Sequence, residues 1–391
     1  MAVTTNYTGI AYIEEVVEGE TPATPQFQIL PTTGGSPVSN ISTAVSEVIR
    51  ADRQTDDLVV VDSEVGGELN YELSYEPYKP FMKALLQQDT IGTIAVAAAE
   101  VDGIDFGVVS KTGIEALVEI GDVFRLSSVL DGAIDGVYTC TDNSVPGEIS
   151  IYPDMPITMT AQTDIAIDAD EILTNGANAP KTYTFKKTAD NNGTLSYWYY
   201  RGIKISTMNW NFATGSILNG TFNVLGLTEE AVGTPIVGEQ TDINVADYSI
   251  MNAVSSVGAI YLEGVSLGTC SFQSLDLSYD NQITAAKSIS VLGACETASY
   301  SVQITGNVEV YFKDLSLYNK FLNAESFGVT IILTDGDGNS IGMSMPKCKF
   351  ETLDTPISGK DQFLMQSGSF RALRDATDDY MFKLSLIDKL P

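Results

Sequence analysis

The spacing that comes nearest to a chemical site is Asp335-Gly336-Asp337-Gly338-Asn339, whose alternating oxygen donors look like the start of a calcium loop. Such a loop needs glycine at its sixth place and a bidentate glutamate at its twelfth, and those places hold Ser340 and Pro346. Flanked by apolar runs at 330–333 and 341–345, the segment is expected to be a hairpin turn. The second pattern is aromatic. Thr182 to Lys187, with the run Tyr197-Trp198-Tyr199-Tyr200, could stack nucleic-acid bases. Twenty-one basic residues against fifty-one acidic ones, a net charge of −30, oppose a grip on phosphates. These rings are therefore expected to pack in a core or an interface. Carboxylates are numerous enough to form a glycosidase pair, but an acidic surface accounts for them more simply. Histidine is absent, which removes the commonest general base and metal ligand. There is no glycine-rich phosphate loop and no nucleophile elbow. Neither catalysis nor a cofactor is expected. Cys140, Cys270, Cys295 and Cys348 show no metal-site spacing and are expected to be buried free thiols.

One polar cluster stands out: Asp52-Arg53-Gln54, with Asp56 and Asp57 close behind. It lies in a long polar stretch between two strand-like segments, and long loops in compact domains are commonly functional. Its functional reading is a loop that inserts charges between neighbouring subunits; its plain reading is a solvated loop. Asp280-Asn281-Gln282 echoes it in the second half of the chain.

The elements that must carry these residues are written twice. Residues 65–86 (VGGELNYELSYEPYKPFMKALL) and 304–325 (ITGNVEVYFKDLSLYNKFLNAE) each open with glycine, alternate apolar with polar side chains, and pass into a short helical stretch. That stretch carries Tyr-x-x-Phe, Tyr78 with Phe81 and Tyr318 with Phe321. Spacing of three puts both rings on one side of a helix, where they can cover a sheet. Pro77 suits a first helical turn. Both copies close on a Gly-x-Phe step, Gly220-Thr221-Phe222 and Gly368-Ser369-Phe370. The order of these echoes points to a tandem duplication with a piece inserted in the first copy.

In chain order, residues 1 to about 40 are broken by Pro22, Pro25, Pro31 and Pro37 and are expected to form an extended arm. Residues 1–94 and 179–232 are expected to form the first, discontinuous unit. Residues 95–178, almost without basic side chains, are expected to form a small separate β-barrel inserted into it. Residues 233–249 are acidic and aperiodic, as a linker would be, and 250–391 make the second unit. The closing run YMFKLSLI is expected to be a final edge strand. No apolar run reaches the ~18 residues of a membrane helix. The N-terminus lacks the pattern of a signal peptide, so synthesis in a cytoplasm is expected.

Taken together, SEVIRADRQ (46–54), GGELNYELSYEPY (66–78), YTFKK (183–187), GIKISTMNWNF (202–212), VEVYFKDLSLYNKF (308–321), MPKCKF (345–350) and SFRALRD (369–375) resemble the major tail tube proteins of long-tailed, non-contractile bacteriophages. The resemblance covers about 1–92 and 181–391. It implies a mainly β fold: two tandem tail-tube-type β-sandwich domains, each with a short helix, plus an inserted small β-barrel domain on the tube exterior. It implies an arginine-containing stacking loop at Asp52, Arg53, Gln54, Asp56 and Asp57, and its counterpart at Asp280, Asn281 and Gln282. It implies a structural virion protein that polymerises into stacked rings. Two copies per chain would give homotrimeric rings of pseudo-sixfold symmetry, with a homohexamer as the alternative. The other implied partners are tape measure, tail terminator and tail tip proteins; phage DNA would pass an acidic bore without specific binding, and no membrane is involved. An acidic β-sandwich surface adhesin is the competing reading from another class.

Overall fold

Leu69 and Tyr71 alternate with Glu68, Asn70 and Glu72, and in the computed structural model that period of two becomes a strand with one buried face. The structure describes residues 4–88, 91–96, 101–128, 134–155, 158–160, 165–245, 248–263, 272–357, 359–376 and 379–390. The first half supplies β1 (Thr8–Glu14), β2 (Val38–Val45), β3 (Leu58–Glu72) and helix α1 (Tyr75–Leu85). After several short strands comes β4 (Ile165–Thr174), then β5 (Tyr183–Asn191), β6 (Thr194–Ala213) and β7 (Asn219–Gly226). The second half supplies β8 (Val257–Leu262), β9 (Phe272–Asp280), β10 (Gln303–Tyr311) and helix α2 (Ser316–Leu322). It ends with β11 (Phe327–Thr334), β12 (Ser340–Asp354), β13 (Met365–Ala372) and β14 (Lys383–Ile387).

One order of antiparallel pairing occurs twice. In the first half it runs β1–β5–β6–β7–β3–β2. In the second it runs β8–β11–β12–β13–β10–β9. Within these orders the long strands β6 and β12 each link two ladders, so each half is a two-layered antiparallel sandwich turned about one long strand. The halves join where residues 207–213 of β6 pair with 274–280 of β9. Eight strands thereby form one continuous sheet in the order β2–β3–β7–β6–β9–β10–β13–β12.

Helix α1 covers the inner side of this sheet. Pro77 lies in its first turn, and Tyr75, Tyr78, Phe81, Met82 and Leu85 are buried. Burying each such side chain contributes about 1.5–3 kcal/mol, which exceeds what so short a helix gains from its own backbone. Helix α2 sits more shallowly: only Leu317 is buried, while Tyr318 and Phe321 are partly covered against the same core.

Several expectations are corrected. The proline-rich N-terminal segment is packed, not an arm: β1 pairs with β5, and Ile10, Tyr12, Phe27 and Leu30 are buried. Prolines interrupt its strands there, but its apolar residues still find a layer to join. The C-terminal strand is not an edge. β14 lies between β12 and β4, all five of its residues are buried, and it ties the inserted segment to the second half. The insert has a hydrophobic core of its own, to which Ala259, Ile332 and Ile387 of the second half add. Cys140 and Cys348 are buried, but Cys295 is exposed; Cys270 lies outside the described residues.

Segment 233–245 carries no strand, yet it is strapped back onto the first half. The buried Lys186 holds Glu239 at 2.9 Å and Asp242 at 2.5 Å. Ile243 makes two backbone hydrogen bonds, donating to Phe27 and accepting from Ile29.

Candidate assembly surface

The eight-stranded sheet has two chemically distinct faces because its side chains alternate. One face is core: Tyr71, Phe222, Trp210, Leu277, Tyr279, Val308, Phe370 and Leu353 are all buried. The other is polar on every strand from β3 to β12. It carries Glu68, Asn70 and Glu72 from β3, Asn219, Thr221 and Asn223 from β7, and Thr207, Asn209 and Asn211 from β6. Across the join it continues with Ser274, Asp276, Ser278 and Asp280 from β9 and Thr305, Asn307 and Glu309 from β10. Ser367, Ser369 and Arg371 from β13 and Lys349, Glu351, Thr352 and Asp354 from β12 complete it. Its carboxylates outnumber its cations, Lys349 and Arg371, by a wide margin.

Neighbouring side chains on this face bind one another. Asn211 donates to Asp276 at 2.7 Å, Asn209 to Thr221 at 2.9 Å and Thr207 to Asp280 at 3.3 Å. Arg371 pairs with Glu351 at 2.5 Å. These bonds hold the polar groups flat against the sheet. Burial pushes the Asp276 carboxyl above its ordinary range.

At its two ends the sheet stops. Among the described residues β2 pairs only with β3, and residues 349–354 of β12 pair only with β13. Edges of this kind present unpaired N–H and C=O groups to another chain.

Beyond the sheet, β2 and the start of β3 extend as a ribbon closed by the loop 46–57. Ile41, Val45, Val48, Ile49, Leu58, Val59, Val60 and Val61 are exposed on it, Ile49 at 99%. The predicted cluster is at its tip. Arg50 pairs with Asp52 at 3.0 Å and with Asp56 at 2.5 Å, Asp52 also accepts from the Gln54 N–H, and Arg53 sits at φ 63°. The Arg50 guanidinium, followed by that N–H, holds the Asp52 carboxyl below its usual range. Arg50 was not among the predicted residues, although it organises the loop.

The echo at Asp280-Asn281-Gln282 lies elsewhere. Asp280 again accepts from the N–H two residues on, at 2.7 Å, but Asn281 is buried and donates to the Leu85 carbonyl at the end of α1. The hairpin that follows, Thr284–Lys287 with Ala294–Ala298, lies against the first half: Lys287 reaches Asp62 at 2.5 Å and Glu64 at 3.4 Å. The structure thus keeps the two Asp-x-Gln segments apart, one exposed and one inside the chain.

Of the helix residues, Tyr78 lies 4.6 Å from Tyr71 and Phe81 stacks on Phe222 at 5.3 Å, whereas Tyr318 and Phe321 mainly meet each other at 6.4 Å. Tyr183, Phe185, Tyr197, Tyr199 and Tyr200 are buried, so this aromatic group is packing. Asp335 is the hairpin turn between β11 and β12; it accepts from the N–H groups of Asp337 and Asn339. Among the described residues no group of carboxylates and thiols could hold a metal ion. Among them, too, no helix is long and apolar enough to cross a membrane.

A family model described as phage tail tube protein matches residues 5–372. The chain belongs to the phage tail tube proteins. As a tail tube protein it is a structural component of the virion tail, assembled in the host, and its family implies self-assembly into a tube and contact with other tail proteins. Compared with curated proteins, this tail tube protein finds no match. The match runs through both halves and across the insert.

Proposed function

We propose that three copies of the chain close into a ring around a bore, and that such rings stack into the tail tube through which the genome is ejected. Each chain supplies two tube units, residues 1–94 with 179–232 and residues 250–391, joined by 233–249. The observation that carries this reading is the eight-stranded sheet, in which one pairing order is used twice and, among the described residues, the outer side of β2 and of residues 349–354 of β12 has no strand beside it. Closing such a sheet on copies of itself removes its edges, and three chains of eight strands give a closed barrel of twenty-four.

The polar face then lines the bore and the helices lie outside it. A wall of carboxylates raises the energy of DNA along the whole path and gives phosphates no place to rest. The insert belongs on the exterior, because it is attached through β14 to residues 340–344 of β12, in the layer behind the sheet. The ribbon tipped by Asp52, Arg53, Gln54, Asp56 and Asp57 provides the axial contact between rings, with its exposed apolar residues covered by the next ring. Tape measure, terminator and tip proteins are the partners at the bore and the tube ends. Electron microscopy of the purified protein with symmetry-resolved averaging tests this: stacked rings of three chains are expected, and six chains per ring would overturn it.

A further inference from the structure

The join inside the chain is a template for the join between chains. Gly220 stands opposite Trp210, and Gly368 stands opposite Leu353. A Cβ on Gly220 would meet the Asn209 carbonyl oxygen at 2.0 Å, and one on Gly368 would meet the Thr352 carbonyl oxygen at 2.3 Å. Trp210 and Leu353 therefore hold equivalent places, as do Asn209 and Thr352. The far side of β6 is occupied: Asn209 pairs with Ser278, Trp210 with Leu277 and Asn211 with Asp276. The far side of β12 at the same positions has no strand among the described residues.

The first-half counterpart of β9 is the stretch from Gly34 into β2. Gly35 pairs with Leu69 and Val38 with Gly66, as Leu277 pairs with Gly306 and Asp280 with Gln303. Leu69 faces Phe222 as Gly306 faces Phe370. This equates Gly35 with Leu277 and Ser36 with Ser278, and the register holds through Gly35 although its φ is +80°. Pro37 takes one donor from the seam. The Asn70 carbonyl accepts from the Thr33 N–H, so Gly66, Glu68 and Asn70 of β3 turn toward this stretch, and Ser36 and Val38, opposite Glu68 and Gly66, turn inward to meet them. The N–H and C=O of Gly35 and the C=O of Pro37 therefore face the open side, and the seam lacks one donor at Pro37, which an edge strand tolerates.

We propose that residues 34–38 of one chain pair antiparallel with the 349–354 edge of its neighbour in the register already used inside the chain. Ser36 then lies opposite Thr352, Gly35 opposite Leu353 and Gly34 opposite Asp354. This rests on the ring reading and specifies its seam.

The test is a cysteine pair, Ser36→Cys with Thr352→Cys, in a chain also carrying Cys270→Ser and Cys295→Ser. Opposed residues place Cα atoms about 4.5–5.5 Å apart, within the range a disulfide spans. Oxidised tubes should lose the monomer band on a non-reducing gel in favour of covalent dimers and trimers. Either single cysteine should leave the monomer, and so should Ser36→Cys with Asp354→Cys, because a diagonal pair is about 7–8 Å apart. Tubes in which the displaced pair links, or in which neither pair links, overturn the seam while leaving the ring intact. A reconstruction of the unsubstituted tube reads the same register directly; another segment beside 349–354 would overturn it. Six chains per ring would instead strike at the ring reading.

Discussion

Phe81 of α1 stacks on Phe222 of β7 with ring centroids 5.3 Å apart and planes inclined by 25°. Tyr12, Tyr183 and Phe185 surround the same ring at 4.6, 5.5 and 5.9 Å, so it is the pivot of the first half's core. Phe81→Ala should destabilise the chain by about 3–5 kcal/mol, the usual cost of emptying a fully buried phenyl site. Its repeat counterpart Phe321 is only partly buried, and Phe321→Ala should cost clearly less. Denaturant melts of the two variants check the order; equal losses would contradict the asymmetry between the helices.

The inserted segment is locked to the last strand by charge. Lys383 Nζ lies 2.6 Å from Asp122, both side chains are buried, and Glu119 adds a contact at 2.9 Å. Burial acts against the Lys383 ammonium, but Asp122, Tyr380 and Glu119 together outweigh it and the lysine stays protonated beyond its normal range. Asp122→Ala should strand that charge and cost about 3–5 kcal/mol, while replacing both partners with apolar residues should recover much of the loss. Thermal melts of the single and double variants decide this. A double variant as unstable as the single one would show that the pair's packing, not its charge, matters.

The polar face should govern DNA passage. Converting Glu68, Asp276 and Glu309 to lysine leaves the core untouched and inverts part of the wall. Phage carrying this tube should eject DNA more slowly, with the delay easing as salt rises, since phosphate contacts weaken with ionic strength. Ejection followed by dye fluorescence measures it; unchanged rates would remove the bore assignment of this face.

The ribbon tip can be removed independently of the fold. Replacing residues 47–56 with a two-residue turn takes away exposed side chains, for which stability changes usually stay within about 0.5 kcal/mol. Rings should still form, and stacking into tubes should fail. Tubes of normal length would rule out the axial role of Asp52, Arg53, Gln54, Asp56 and Asp57.

Acid should loosen the C-terminus first. Burial raises the Asp388 carboxyl, but hydrogen bonds from Lys79 at 2.7 Å and Tyr75 at 2.6 Å outweigh it, and its pKa is lowered. A carboxylate depressed in the folded state stabilises above its unfolded value, near ~3.9, and that stability is lost as pH falls through the folded value. The melting temperature of Asp388→Asn should therefore lie below that of the parent near neutrality, and the gap should close below about pH 4. A gap that does not shrink as pH falls below about 4 would contradict the linkage.

Much of the fold is legible in the residues themselves. The period of two in 66–72 and 304–310 and the Tyr-x-x-Phe steps specify strands and helices, and the paired Gly-x-Phe steps mark the equivalent strands β7 and β13, because each pattern depends on neighbours close in sequence. The charge of −30 and the missing histidines bear on function without any fold. Tertiary structure alone decided the rest. That Tyr12 belongs to the core, that β14 sits mid-sheet, and that Asn281 turns inward while Arg53 turns out all depend on partners more than a hundred residues away or on a neighbouring layer. Alternation shows that Glu68, Asn70 and Glu72 share a face, but only pairing across eight strands gathers that face with Asp276 and Glu309 into one surface. A strand's two sides are written in its own sequence; which neighbour lies beside it is not.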